Sequence, residues 1–244
     1  MTMCYVIGIK IPKKQTIKIG GTALDLDAID IPMQSGFAYE QWPVIFSESS
    51  SGDNLRPGLM HWELIPQWVR NEKELIESRK KYTTLNIKAE TILSNKVAQS
   101  TIHTNRCLVL ASHFFEWQQV DKEKYPHYIS LNEKPIFYIA GVWNTWTNQN
   151  TGETKNSFGI ITTEANGLMS KIHNVKKRMP TILEEDAANA WVNENLNDAQ
   201  IVELAKHQIK DIKMNAYTVA KNFQQTENPC EKVDYKIFTP QTLF

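Results

Sequence analysis

Short runs of β-branched and aromatic residues constrain the fold of this chain more than any other feature. Turn-forming residues bound these runs, which is typical of strands. They predict strands over 107–111, 114–120, 127–131, 136–142 and 158–162. The polar segment 132–135 is expected to connect two of these strands as a hairpin. Because so many strands fall in the first two thirds of the chain, a predominantly helical fold is excluded.

Helical patterns are fewer and do not alternate regularly with the strands. They predict helices over 71–81, 164–173 and 184–196, and Asn197 with Gln200 indicates a capping box that opens a further helix. Regular strand–helix alternation would indicate a βαβ fold. Because the alternation here is irregular, we expect an α+β fold around a curved sheet. We expect a single domain that spans residues 1–244.

Composition excludes several classes of protein. The chain has 244 residues, 41% of them hydrophobic, with 27 basic and 27 acidic residues. This balance argues against a disordered chain and against a histone-like protein that coats nucleic acid. No apolar run approaches the roughly 20 residues of a spanning helix, so no membrane association is expected. Cys4, Cys107 and Cys230 form no CxxC motif. We therefore expect no metal and no cofactor, and a reducing, cytoplasmic location.

Two segments combine aromatic or charged residues outside regular structure. Trp62 and Trp68 flank a proline, and Trp68 on such a loop could stack on a nucleobase. The alternative is that both tryptophans fill the core. The segment 86–91 brings together the amide of Asn86, the cation of Lys88 and the carboxylate of Glu90. It is either part of a site or a solvated loop.

Three further residues could take part in chemistry. Strand alternation places Glu116 on the face opposite Phe115 and Trp117, where desolvation would raise its pKa and suit it to proton transfer. A structural carboxylate is the alternative. His173 precedes Lys176, Lys177 and Arg178, which indicates either an acid–base histidine beside a phosphate-binding loop or a solvated basic loop. Cys4 is either a nucleophile or a small buried residue.

Taken in order, eight segments of the chain resemble the SOS-response-associated peptidase family, also called the SRAP or abasic-site-processing family. They are MC at 3–4, WELIPQW at 62–68, NIKAET at 86–91, RCLV at 106–109, FFEW at 114–117, AGVW at 140–143, IITTEAN at 160–166, and IH at 172–173 with RMP at 178–180. The motifs thus span about 3–191, and we expect the C-terminal remainder to pack on that part. The resemblance implies a barrel-like, mostly antiparallel sheet flanked by helices.

The resemblance also implies an activity. Members bind single-stranded DNA and form a covalent crosslink to abasic sites through a cysteine at the N-terminus, which corresponds to Cys4. The implied active-site residues are Cys4, Asn86, Glu116 and His173; the implied DNA-binding residues are Trp68, Lys88 and Arg178. A free α-amine would attack the ring-opened aldehyde to give a Schiff base, and the thiol of the same residue would close a thiazolidine. Glu116 and His173 would move protons, and Asn86 would orient the reacting group.

The chain departs from the family pattern at its start and in two cationic positions. Met1, Thr2 and Met3 precede Cys4, so removal of Met1 alone would not expose a cysteine amine. Translation from Met3, self-processing or loss of crosslinking would each fit, and we favour the start at Met3. Tyr5 and Val6 stand where the family has a small residue and an arginine, and Lys88 replaces an arginine.

The loop between His173 and Arg178 has the extra residues Val175, Lys176 and Lys177. Its two lysines would restore positive charge for DNA binding. Two other functions are compatible with the residues. One is a cysteine-dependent peptidase or amide hydrolase, with Cys4 as thiolate and His173 as base. The other is a non-catalytic single-stranded DNA-binding module. In each case we expect a monomer.

Overall fold

Strands dominate the computed structural model of the chain, which describes residues 5–48, 54–193 and 195–238. The strands are β1 (Val6–Ile11), β2 (Gln15–Ile19), β3 (Thr22–Leu26), β4 (Ile29–Ser35), β5 (Gln41–Phe46), β6 (Arg56–Trp62), β7 (Asn86–Lys88), β8 (Arg106–Ala111), β9 (His113–Val120), β10 (Glu123–Leu131), β11 (Phe137–Thr147), β12 (Thr154–Glu164), β13 (Arg178–Pro180), β14 (Ile182–Leu183) and β15 (Met214–Thr218). The helices are α1 (Glu72–Lys81), α2 (Gly167–Ile172), α3 (Glu185–Asn193) and α4 (Asp198–Ala205). The five strands predicted from the sequence are present as β8 to β12.

The larger sheet closes into a barrel. Going round it, β12 pairs with β6, β6 with β5, β5 with β8, β8 with β11, and β11 again with β12. The β12–β6 pair is parallel and the other four are antiparallel. Closure removes the exposed edges that an open sheet would present to other chains. The expected α+β class with a curved, barrel-like and mostly antiparallel sheet is therefore confirmed.

A second sheet of five strands, in the order β15-β10-β9-β1-β4, packs beside the barrel. The prediction of a hairpin at 132–135 is wrong. β10 pairs with β9 and β15, whereas β11 pairs with β8, β12 and β14. The segment 132–135 therefore carries the chain from one sheet to the other. Its polar, turn-forming residues look the same in either role, because the partner of each strand is set by distant residues.

Side-chain caps set the helix starts. Asn71 and Asn166 accept hydrogen bonds from the backbone N–H groups of Glu74 and Met169, and Asn197 forms a reciprocal capping box with Gln200. The predicted capping box is therefore confirmed. The helix predicted over 164–173 is shorter, because β12 continues to Glu164 before α2 begins.

Residues from both sheets and from helices α2 to α4 form the main hydrophobic core. Trp62 is fully buried in it, and its ring stacks on Phe158 with centroids 6.1 Å apart. Trp68 is 50% exposed. The core alternative is thus right for Trp62, whereas Trp68 stays available at the surface. In the C-terminal part, the rings of Tyr235 and Phe238 contact Tyr125 of β10. None of the described helices is long and apolar enough to cross a membrane.

The two tryptophans should differ sharply in their effect on stability. We expect Trp62→Ala to lower the free energy of unfolding by about 3–5 kcal/mol, because it leaves a large cavity in the barrel. Trp68→Ala should cost much less, since half of that side chain is already in water. Urea denaturation of both variants measures the difference. If Trp62→Ala does not fold, Trp62→Phe should still lose more stability than Trp68→Phe; equal losses would contradict the assignment of Trp62 to the core.

Candidate active site

Glu116 on β9 is a carboxyl group that the fold removes from water. The residue is 1% exposed, and its Oε1 has no hydrogen-bond partner among the described residues. Phe115 and Trp117, its neighbours on the strand, both contact the ring of Phe223, which fixes them on the other face of the sheet. Burial raises the pKa of Glu116 to about 8, and a hydrogen bond from the backbone of Trp117 offsets only part of that. Glu116 therefore carries a proton at neutral pH.

His173 follows the last residue of α2 and is 1% exposed. Its Nδ1 lies 2.9 Å from the carbonyl oxygen of Arg178. Because a carbonyl can only accept, Nδ1 carries the hydrogen and Nε2 has the free lone pair. Nε2 has no hydrogen-bond partner in the described part of the chain. Burial lowers the pKa of His173, and the charges of Arg178 and Lys176 lower it further, against the opposite effect of the Arg178 carbonyl. The ring is therefore neutral at pH 7.

The two side chains lie together. Nδ1 of His173 is 3.8 Å from Oε1 of Glu116. Since each group is neutral at pH 7, the pair is an acid that can donate a proton beside a base that can accept one. His127, opposite Glu116 on β10, is also buried, and burial lowers its pKa, so it adds no positive charge at neutral pH. Buried polar atoms without hydrogen-bond partners are typical of a site that binds a polar group.

Strand β12 pairs with the two strands that carry other predicted site residues. Asn86 and Lys88 of β7 pair with Ile160 and Thr162 of β12. Asn86 is buried and Lys88 is exposed. Arg178, opposite Glu164, is largely buried; its guanidinium group donates to Glu90 at 2.6 Å and to the carbonyl of Thr162 at 2.5 Å. Arg178 therefore forms an ion pair with Glu90, a relation that the separate segments of the sequence could not reveal.

The remaining predicted binding residues lie at the surface. Lys176 and Lys177 are exposed in the loop between His173 and Arg178. Trp68 lies between β6 and α1, where its indole N–H donates to the hydroxyl of Tyr82 at 3.2 Å. Tyr82 is itself 40% exposed. It widens the aromatic surface at Trp68, although no motif in the sequence singled it out.

Cys4 lies outside the described residues. Val6, at the start of β1, pairs with Phe115, the residue before Glu116 on β9. The start of β1 is therefore beside the strand that carries the buried carboxyl. Within residues 5–48, 54–193 and 195–238, no group of three or more histidine, cysteine or acidic residues could hold a metal ion.

Comparison with known proteins identifies the family. The sequence model of the SOS response associated peptidase (SRAP) family matches residues 24–226. This is most of the chain, so the protein belongs to that family, as the motifs predicted.

Individual relatives agree. The abasic site processing protein YoqW of Bacillus subtilis is 31% identical over 180 residues, which cover 73% of this chain and 76% of YoqW. The abasic site processing protein HMCES of Xenopus tropicalis is 32% identical over 153 residues, or 55% of this chain and 44% of that protein. The crystal structure of a protein from Bacteroides thetaiotaomicron matches with a TM-score of 0.73 and 35% identity over 82% of each chain. The last match shows that the fold is shared with an experimentally determined structure.

The buried carboxyl should make stability depend on pH. The unfolded chain ionises Glu116 near its ordinary pKa of 4.5, whereas the folded protein keeps the proton up to about 8. The stabilisation that the folded protein gains by holding this proton is thus fully present below pH 4.5, and it is lost as the pH rises to about 8. We expect Glu116→Gln, which cannot ionise, to gain melting temperature relative to the wild type by several degrees between about pH 5 and pH 8. Thermal denaturation across that range measures it.

Glu164→Gln is the matched control, because Glu164 is an exposed carboxylate on the neighbouring barrel. Its melting temperature should follow that of the wild type over the whole range. If Glu116→Gln also follows the wild type, Glu116 is ionised in the folded protein and cannot act as the acid at neutral pH.

Proposed function

We propose that the protein processes abasic sites in DNA. Membership of the family and the names of its relatives support this activity. The observation that carries the proposal is the buried pair of Glu116 and His173, 3.8 Å apart, with an unpartnered oxygen on one and an unpartnered nitrogen on the other. A ring-opened abasic site presents an aldehyde, and every step of its capture by an amine needs a proton to be moved.

The finer proposal is covalent capture through Cys4. The α-amine of an N-terminal cysteine attacks the aldehyde carbon to form a carbinolamine, which loses water to give an imine. The thiol then adds to the imine carbon, and the imine nitrogen takes up a proton, which closes a five-membered thiazolidine. Only an N-terminal cysteine carries both groups on adjacent carbons, so ring closure is intramolecular. No oxidant, reductant or metal is required.

The protonation states suit these steps. Protonated Glu116 donates to the hydroxyl that leaves as water, and the lone pair of His173 Nε2 accepts the proton that the amine or the thiol loses. Asn86 is buried on β7, which pairs with β12 of the barrel, and its amide orients the reacting group. Exposed Lys88, Lys176 and Lys177 contact phosphates of single-stranded DNA, and Trp68 stacks on a base.

We further propose that the protein acts as a monomer in the cytoplasm.

A denaturing-gel assay with a single-stranded oligonucleotide that carries one abasic site tests the chemistry. Protein that begins at Cys4 should give a slow band that resists SDS. Cys4→Ser keeps the amine but lacks the thiol, so its imine should hydrolyse and the band should vanish unless borohydride is added. Glu116→Gln should form the band on the order of 10²–10⁴-fold more slowly.

The same chain beginning at Met1 is the control, because its cysteine amine is in a peptide bond. A band from this form would require self-processing, which mass spectrometry of the product would detect, or another route of crosslinking. The absence of a band from every form would contradict covalent capture. A Cys4-dependent amide hydrolase would then be the next activity to assay, since hydrolysis needs no free amine.

The lysines of the loop after His173 should set part of the DNA affinity. We expect Lys176→Ala with Lys177→Ala to weaken binding to undamaged single strands and to reduce the slope of log affinity against log salt by about 1–2, because about two phosphate contacts are lost. Lys18→Ala on the β2–β3 hairpin, which is also exposed, is the control. Fluorescence anisotropy at several salt concentrations measures both. An unchanged slope in the double variant would exclude these lysines from the DNA interface.

A further inference from the structure

In the described part of the chain, one edge of β9 is paired with another strand over only part of its length. β10 pairs with β9 along its whole length, up to Val120. On the other edge, β1 pairs only with the first three residues, 113–115. From Glu116 onward, the described residues include no strand on that side. An open edge of this kind leaves backbone N–H and C=O groups that need partners.

The side chain of Asn174 supplies those partners at Gln119. Its Oδ1 accepts from the N–H of Gln119 at 3.0 Å, and its Nδ2 donates to the carbonyl of Gln119 at 2.7 Å. A single side-chain amide thus makes both hydrogen bonds that a residue of a neighbouring strand would make. Asn174 follows His173 directly, and Gln119 lies on the same strand as Glu116. The two hydrogen bonds therefore join the segment that contains His173 to the strand that contains Glu116.

Other bonds to His173 act within its own segment. Its N–H donates to Met169 at 2.7 Å, its carbonyl accepts from Lys177 at 2.8 Å, and Nδ1 donates to Arg178. These bonds fix the orientation of the ring relative to α2 and the loop. They do not join that unit to β9. Helix α2 packs against β9, and the two hydrogen bonds of Asn174 add a directed link between the loop and the strand.

We propose that Asn174 is a positioning residue, which pairs with Gln119 to set the separation of His173 from Glu116 and to keep water from the pair. The inference rests on the proposed function, because it gives this separation a role in proton transfer. A misplacement of about 1 Å at a reacting centre can cost on the order of 10²-fold in rate. A neutral amide suits the task, since it supplies a donor and an acceptor without placing a charge beside the buried pair.

Single-turnover crosslinking at saturating DNA tests the proposal with Asn174→Ala and Asn174→Asp. We expect the rate to fall on the order of 10–100-fold in both, with unchanged DNA affinity. Asn174→Asp keeps an acceptor for the N–H of Gln119 but turns an oxygen toward its carbonyl. Val175→Ala, one residue along the same loop and 56% exposed, is the matched control and should leave the rate unchanged.

The pH profile separates positioning from a merely structural role. Water that reaches Glu116 lowers its pKa from about 8, so the alkaline limb of the rate profile should move to lower pH in Asn174→Ala. A loss of loop stability alone would lower the rate and leave that limb in place, which would overturn the proposal. An unchanged rate would overturn it as well.

A readout without DNA keeps this test distinct from that of the proposed function. The pH-dependent difference in melting temperature between the protein and its Glu116→Gln form should shrink when both carry Asn174→Ala. Amide hydrogen exchange at Gln119 should also become at least about tenfold faster. If the wild type forms no crosslink, the proposed function fails while these two measurements still decide on Asn174. An unchanged difference in melting temperature with unchanged exchange would exclude the positioning role.

Discussion

Pairing along both edges of β12 is the constraint on which most of the site depends. On one edge, β11 pairs with β12 up to Ile160, and β13 takes over from Thr162. On the other edge, β6 and then β7 run parallel to it. Thr162 consequently lies between Lys88 and Pro180. Pro180 is two residues after Arg178. The hydrogen-bond register of one strand therefore brings together segments that are far apart in the chain.

The second constraint is the removal of Glu116 from water. A buried polar atom without a partner costs about 1–3 kcal/mol, so two such atoms in one place weigh against folding. The fold holds them because Phe115 and Trp117 pack against Phe223 on the other face of the sheet. A slip of one residue would bury Glu116 among aromatic rings and place an aromatic side chain beside His173 instead. The C-terminal segment that contains Phe223 thus helps to hold the acid in place.

Local patterns predicted part of the secondary structure, whereas pairing between distant segments was not predictable. Runs of β-branched and aromatic residues predicted β8 to β12, period-two alternation predicted the face of Glu116, and capping residues predicted the start of α4. The segment 132–135 was misassigned because β10 and β11 belong to different sheets, which only long-range contacts decide. Sequence reasoning identified Arg178 as a cation near phosphates, and its ion pair with Glu90 could be seen only in the fold. Charges can be read from a sequence, but their partners depend on the fold.

The loop after His173 shows how this chain can change its surface charge without moving its acid–base pair. Both ends of the loop are fixed, since Asn174 bonds to β9 and the carbonyl of Arg178 accepts from His173. Between them, Lys177 adopts a left-handed conformation with φ of 50°, which costs a non-glycine residue roughly 1–2 kcal/mol. That turn returns the chain so that Lys177 bonds to His173 and to Ala165. Lys176 and Lys177 therefore project outward as exposed side chains. Because both ends of the loop are held, substitutions in its middle can change the surface charge without moving the ring of His173.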